Sequence, residues 1–409
     1  MSRSLWLWLI AIVFINCSPS QESKNISLPA GMWRATLEFQ EEYLPFNFEL
    51  TQDPSGSYKI YIINARERLL LDEVFIKGDS VTIPMHIFEA SFRTVWKDGK
   101  LSGQFVKHLD PSNPIPFEAV PGQQYRFETA GNSTPTVDFS GKYRVQFFNV
   151  KDTTDAIGVF LQRKDSVTGT FLTATGDYRY LQGNVINDTL HLSAFDGNHA
   201  YLFKAFMTSP DKIDGIFYSG RTQKKSWSGV KDDAAALPDA YKMTYLKPGY
   251  ETIDFKFPAL NGDTISLKDE KYRGKVVILQ IFGTWCPNCM DETRFLAPWY
   301  DQNKNRGVEV IGLAYERKDD FNYASERVKR MIDKLDVKYD FVIAGTADKQ
   351  KASESLPMLN AVVSFPTTIF IGKDGKVKKI HTGFSGPGTG EYYDQYIEEF
   401  NETVNNLLQ

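Results

Sequence analysis

Cysteine is almost missing from this chain: 409 residues carry three, Cys17, Cys286 and Cys289. So few exclude a disulfide-stapled scaffold, and no second Cys or His pair exists to complete a zinc site with Cys286 and Cys289. Histidine is scarce as well. The five (His86, His108, His191, His199 and His381) are scattered without the spacing of a metal motif, so neither a metal nor a cofactor is expected. An excess of one charge is lacking too. Lys and Arg number 47 against 51 Asp and Glu, a net of −4 with neither a basic stripe nor an acidic tail, which excludes nucleic acid as the expected partner. Nor does any apolar run reach the ~20 residues that span a bilayer.

What is present begins at the N-terminus. A basic start, Met1-Ser2-Arg3-Ser4, precedes eleven apolar residues from Leu5 to Ile15 and then Asn16-Cys17-Ser18, the pattern of a signal peptide over 1–17. A cysteine directly after the run predicts lipoprotein processing, with Cys17 acylated as the first residue of the mature chain. Cleavage to a soluble form and an uncleaved anchor are the alternatives. Either way no structural disulfide is put at risk by a reducing dithiol elsewhere in the chain.

From 28 to 233 helical periodicity is wanting. Alternating runs such as Trp33-x-Ala35-x-Leu37-x-Phe39 and Phe46-x-Phe48-x-Leu50, broken by Asp53-Pro54-Ser55-Gly56, Lys77-Gly78-Asp79 and Lys97-Asp98-Gly99-Lys100, read as antiparallel strands joined by hairpin turns. The pattern is also doubled. Gly31 to Phe39 is echoed by Gly141 to Phe147, Gly78 to Ile83 by Asn187 to Leu192, and Leu101 to Phe105 by Ile213 to Phe217, at offsets of 110, 109 and 112. A near-constant offset predicts two related antiparallel β units, 28–128 and 137–233, each a meander barrel or a sandwich. In the second, Gly169 to Leu181 reads as strand, turn and strand, or more sharply as a segment whose Tyr178, Arg179 and Tyr180 face the C-terminal domain or a partner. Residues 231–247 turn to Asp, Ala and Pro, a linker or interface segment.

Over 248–409 strands and helices alternate. A central apolar strand, Val276 to Phe282, is followed by a helix with Phe321, Ala324, Val328, Met331, Ile332 and Leu335 on one face. A brief helix is expected through Leu356 to Leu359, and a closing helix presents Tyr393, Tyr396, Ile397, Phe400, Val404 and Leu407. At the end of the central strand, Gly283-Thr284-Trp285-Cys286-Pro287-Asn288-Cys289 delivers a dithiol to a helix start. Unpaired N–H groups and the positive end of the helix dipole there favour a thiolate, so Cys286 is the predicted nucleophile. Cys289, one turn deeper on the same face, is the predicted resolving thiol.

Residues 283–292 resemble the TlpA/ResA-like branch of the thioredoxin superfamily, envelope-facing thiol-disulfide oxidoreductases, and the resemblance extends over about 248–409. The fold class that follows is α+β multidomain, two antiparallel all-β units and a C-terminal α/β thioredoxin-like domain. The resemblance maps the family's active-site glutamate onto Glu292 and its cis-proline onto Pro366, in Ser364-Phe365-Pro366-Thr367. Many thioredoxins bury an acid in the strand six residues before the first cysteine; here that position is Gln280, which cannot titrate, so Glu292 is the candidate proton acceptor. A cis Pro366 would leave the Phe365 backbone open for strand-like pairing with a substrate, although Phe365 is bulkier than the residue the family usually places there. Trp285 is expected to shield the sulfurs or to pack as core, and Pro287 with Asn288 to tune the redox potential. The expected substrate-binding set is thus Trp285, Pro287, Phe365 and Pro366.

The activity implied is reduction of protein disulfides, for example in apocytochrome c, in a periplasm-facing cell envelope. Electrons would come from a membrane dithiol donor, and a lipid anchor would tether the chain to a bacterial membrane. Two alternatives stay open. A thiol peroxidase shares the fold, but it usually wants a Thr two residues clear of its Cys, whereas Thr284-Trp285-Cys286 leaves one between. The other is a binding or docking protein whose β half carries the main role.

Overall fold

The structure, a computed structural model, describes residues 26–128, 134–149 and 152–409. Cys17 and the signal segment lie outside the described residues. Among those residues, two nine-stranded antiparallel sheets precede a five-stranded mixed sheet flanked by helices.

The first sheet is a meander whose first strand, Gly31–Phe39, pairs with both the second and the last, Ile115–Pro121. Its period-two pattern works as the sequence requires: Trp33, Ala35, Leu37 and Phe39 are buried while their neighbours face outward. The ring of strands stays open at one seam, between Glu67–Leu71 and Phe75–Lys77. The second sheet closes. Its first strand, Gly141–Phe148, pairs with Gln223–Lys231, and Thr153–Arg163 pairs with Ser166–Thr173, so the meander returns on itself as a barrel. Phe147, Phe171, Phe203 and Trp227 pack against one another and fill that barrel's interior. The three sequence echoes fall on the first, sixth and eighth strands of the two sheets: Gly31–Phe39 with Gly141–Phe148, Ser80–Pro84 with Thr189–Phe195, Lys100–Lys107 with Lys212–Ser219. The sheets share a core as well, since Phe195 of the second stacks on Phe46 of the first at 4.6 Å.

In the third sheet Val276–Phe282 is buried at every position, as a central strand covered on both faces must be. It runs parallel to Val308–Glu316, which is parallel to Asp340–Thr346, and antiparallel to Thr367–Ile371 on its other side. Helix α1 (Pro287–Asn303) follows the central strand, α2 (Phe321–Leu335) buries Ala324, Val328 and Met331, and a short α3 spans Lys349–Ser355. The expected helix over 356–359 is therefore displaced: Pro357 lacks a donor and biases Leu356 out of the helical region, so the helix ends before it. Phe321, expected on the buried face, is 37% exposed. Helix α4 (Glu391–Leu408) closes the domain on Tyr396, Phe400 and Val404.

Past Lys231, which still belongs to the strand Gln223–Lys231, residues 232–247 form no helix and no strand, yet they are docked. Thr382 N–H donates to Ala240 O at 3.0 Å, Tyr241 OH to Glu399 at 2.8 Å and Lys247 N–H to Met358 O at 2.8 Å. Helix α2 faces the open seam of the first sheet, where Arg330 pairs with Glu73 (2.5 Å) and Lys334 with Asp72 (2.7 Å). Among the described residues no helix is long and apolar enough to cross a membrane.

Candidate active site

Cys286 ends the loop after the central strand in extended conformation and is the N-cap of α1, with Pro287 in the first helical turn, where its missing N–H costs nothing. Its Sγ accepts the N–H of Cys289 at 3.3 Å, and its thiol donates to Phe365 O at 3.5 Å. Both cysteines are reduced and buried, Cys286 retaining 8% exposure and Cys289 none. Burial pushes the Cys289 thiol well above its ordinary value, and the Cys286 sulfur and the Glu292 carboxylate add to that. Its thiolate therefore forms only where a neighbouring group can take the proton.

Glu292 lies one turn beyond Cys289 and is fully buried. Burial raises its carboxyl to about 7, against the pull of three donors: Thr368 Oγ1 (2.5 Å), Gln280 Nε2 (2.9 Å) and Tyr396 OH (3.1 Å). Gln280 thus holds the carboxylate from the central strand. A second buried carboxyl, Glu316, carries no signal in the sequence, where an acid at a strand end is unremarked by any motif. It accepts from Thr284 N–H (2.8 Å) and Thr284 Oγ1 (2.9 Å), fixing the loop before Cys286, and burial raises it to about 7 too.

The other expected residues gather here, with one correction. Trp285 is half-buried, its Nε1 donating to Tyr315 O at 2.9 Å and its ring edge-on to Phe365 at 5.6 Å. The Phe365–Pro366 peptide is cis. Phe365, expected to present an open backbone for pairing, is instead 7% exposed, with its carbonyl accepting from the Cys286 thiol and its ring against Trp285 and Tyr315, while the hairpin at 173–176 of the second barrel reaches its neighbour Ser364. Ser364 Oγ donates to Thr175 O at 3.1 Å, and a Cβ placed on Gly383 would lie 2.9 Å from the Thr175 carbonyl carbon. Pro287 faces a cavity of about 20 Å³, roughly one water, against Met85, Ile87 and Phe88 of the first sheet.

Arg179 explains how the β half is held there. Buried and in the left-handed region (φ 62°), it pairs with Glu67 of the first sheet, with Asp196 of the second at 3.3 Å and with Asp291 of α1 at 2.5 Å. Burial opposes its charge, but these three carboxylates hold its pKa well above the ordinary value. Asp177 completes the joint by accepting the N–H groups of Arg179 and Gly386, both at 2.6 Å. Of the triplet Tyr178, Arg179 and Tyr180, it is the Arg179 side chain that forms an ion pair with the C-terminal domain. Tyr178 packs inside the barrel against Phe147, and the Tyr180 hydroxyl accepts from Arg66. The signal available in the sequence was the glycine cluster Gly383, Gly386, Gly388 and Gly390, since at the first three a side chain would meet the second barrel.

A dithiol at the mouth of the first helix of a thioredoxin fold, beside a cis-proline loop and backed by a buried carboxyl, defines a thiol-disulfide oxidoreductase. Known proteins agree. The AhpC/TSA family matches residues 248–380. Thiol-disulfide oxidoreductase ResA of Bacillus thuringiensis is 31% identical over 158 residues, 39% of this chain and 81% of that protein. ResA of Halalkalibacterium halodurans is 29% identical over 160 residues, 39% of this chain and 77% of that protein. A crystal structure of a thioredoxin-family thiol:disulfide interchange protein from Chlorobium tepidum aligns with 39% of this chain and 96% of its own, at 19% identity and a TM-score of 0.30. Through its C-terminal domain the chain belongs to the TlpA/ResA-like thiol-disulfide oxidoreductases.

Proposed function

We propose that this chain is a cell-envelope reductase of protein disulfides. Cys286 attacks one sulfur of a client disulfide; the client's other sulfur leaves as a thiolate, and a mixed disulfide forms. Cys289 then gives its proton to Glu292 and attacks the Cys286 sulfur. That closes the Cys286–Cys289 disulfide and releases the second client thiol. The client gains two electrons and the enzyme loses two, to be restored by a dithiol donor at the membrane. The observation that carries this reading is the stacking of three groups along α1: an N-cap sulfur held by the Cys289 N–H, a buried thiol, and a fully buried carboxyl raised to about 7.

Attachment through a lipid on Cys17, a periplasm-facing location and clients such as apocytochrome c extend the reading and rest on the N-terminal pattern and the family likeness. The 28–128 and 137–233 units are read as related by duplication, on the shared strand positions of the three echoes. The direct test is catalysed reduction of a protein disulfide by the full chain with a dithiol supplied. Cys286→Ser is expected to abolish turnover; a Cys286→Ser variant as active as the parent would end the proposal. Hydroperoxide turnover, measured alongside, tests the peroxidase alternative, for which Thr284 has its hydroxyl committed to Glu316.

A further inference from the structure

The β half covers the dithiol on two flanks, and on the third a cleft of distinctive chemistry lies beside Trp285, the residue before Cys286. On the cis-proline flank the hairpin at 173–176 covers Ser364 and Gly383, and on the Pro287 flank the first sheet leaves room for about one water. The Trp285 flank differs. Thr284 and Trp285 line a cavity of about 220 Å³ that shares Lys107, Asp110, Asn198 and Arg317 with a neighbouring one of about 600 Å³, itself within the size range of ligand sites. Lys107, Asp110 and Arg317 are exposed, so the joined cleft reaches the surface.

Its charges are unequal in how they are satisfied. Arg317 lies over the Trp285 ring at 5.1 Å, and Lys107 Nζ donates to Asn198 O at 2.7 Å, while Asn198 Nδ2 donates to Trp285 O at 3.1 Å. Among the described residues, Arg317, Lys107 and the third cation, Arg327, form no ion pair with a carboxylate. The two acids of the lining are already engaged by neutral donors: Glu89 by Tyr323 OH at 2.5 Å, Asp110 by Asn113 Nδ2 at 2.7 Å. Three cations without carboxylate partners beside the residue that precedes the nucleophile form a field for an anion.

We infer that this cleft is the client entrance, and that it selects an extended peptide segment whose cysteine is flanked by Asp or Glu, with Arg317 and Lys107 as the specificity-determining residues. The inference deepens the reductase reading and rests on it for turnover, though not for binding. Two peptides of equal length, each carrying one disulfide to a neutral small thiol and differing in Glu against Lys flanks, are offered to the full chain. The parent is expected to reduce the acidic one with kcat/KM about tenfold higher, a margin that two partly exposed ion pairs supply and that added salt erodes. Arg317→Glu is expected to remove or invert the preference, read as the ratio of the two kcat/KM values within the variant. Equal kcat/KM for both peptides in the parent, or a preference that survives Arg317→Glu, overturns the inference. Calorimetric titration with a cysteine-free acidic peptide measures the same selectivity without chemistry, with binding expected to weaken about fivefold or more in Arg317→Glu. Were binding to hold and hydroxyethyl disulfide to go unreduced by the parent, the reductase reading would fall and the cleft assignment stand.

Discussion

Glu292 is the residue whose properties can be read most directly in a pH profile. Its carboxyl is buried without a cation and sits at about 7, so near neutrality it passes between a form that can receive the Cys289 proton and one that cannot. The resolving step, followed as decay of a mixed disulfide in a single turnover, is expected to accelerate with pH up to about 7. Glu292→Gln should slow it on the order of a hundredfold and remove that inflection; an unchanged profile would take Glu292 out of the mechanism. The same burial has a stability consequence of definite sign. An acid whose folded value is raised from 4.5 to about 7 binds its proton more tightly folded than unfolded, so its contribution is intact below about pH 4.5 and is lost as pH rises through 7. At about 1.4 kcal/mol per pH unit, Glu292→Gln should match the parent in stability at pH 4.5 and exceed it by up to about 3 kcal/mol above pH 7 in denaturant titrations. A constant difference across that range would contradict the placement of this charge. At this scale the sequence was informative where chemistry is local. Cys286, Cys289 and Glu292 lie on one helix, so their spacing alone places them, whereas Glu316 reaches Thr284 from another strand and no spacing betrays it.

Among elements, the join between the hairpin region of the second barrel and α1 decides how the dithiol is presented. One guanidinium serves carboxylates from both sheets and from α1, and removing it would leave Glu67, Asp196 and Asp291 buried around an empty centre. Arg179→Met is expected to cost about 3–5 kcal/mol. It should also loosen the cover over the dithiol, seen as alkylation of native Cys286 by iodoacetamide at least tenfold faster than in the parent. An unchanged alkylation rate would mean that Arg179 does not hold the cover. The sequence marked Arg179 only as part of an unusual run. The strands themselves were legible, because inward residues such as Trp33, Ala35, Leu37 and Phe39 alternate with period two. The choice between barrel and sandwich was not, since closure depends on pairing Thr153–Arg163 with Ser166–Thr173 and Gly141–Phe148 with Gln223–Lys231, a matter of strand curvature that no local pattern encodes. The helix misplaced to 356–359 shows the converse: the apolar spacing was real, but Pro357 governs where a helix ends.

Taken whole, the molecule is a thioredoxin-fold dithiol enclosed by its own β half. Segments far apart in sequence converge around the dithiol: Arg327 of α2 bonds Ile87 O, Ser364 bonds Thr175 O, and Asn198 bonds Trp285 O. The C-terminal fold could be read from a largely apolar strand leading into Cys-x-x-Cys, but the enclosure could not, being built of single contacts between segments more than eighty residues apart. The central claim is that Cys286 captures the client and Cys289 displaces it. It is tested most directly by intact mass of the full-length Cys289→Ala variant after exposure to a protein disulfide. A covalent client adduct that persists on Cys286, and is absent both from Cys286→Ala and from the parent at completion, is the expected result. No adduct on Cys286, or an adduct in Cys286→Ala carried by Cys289, would contradict it.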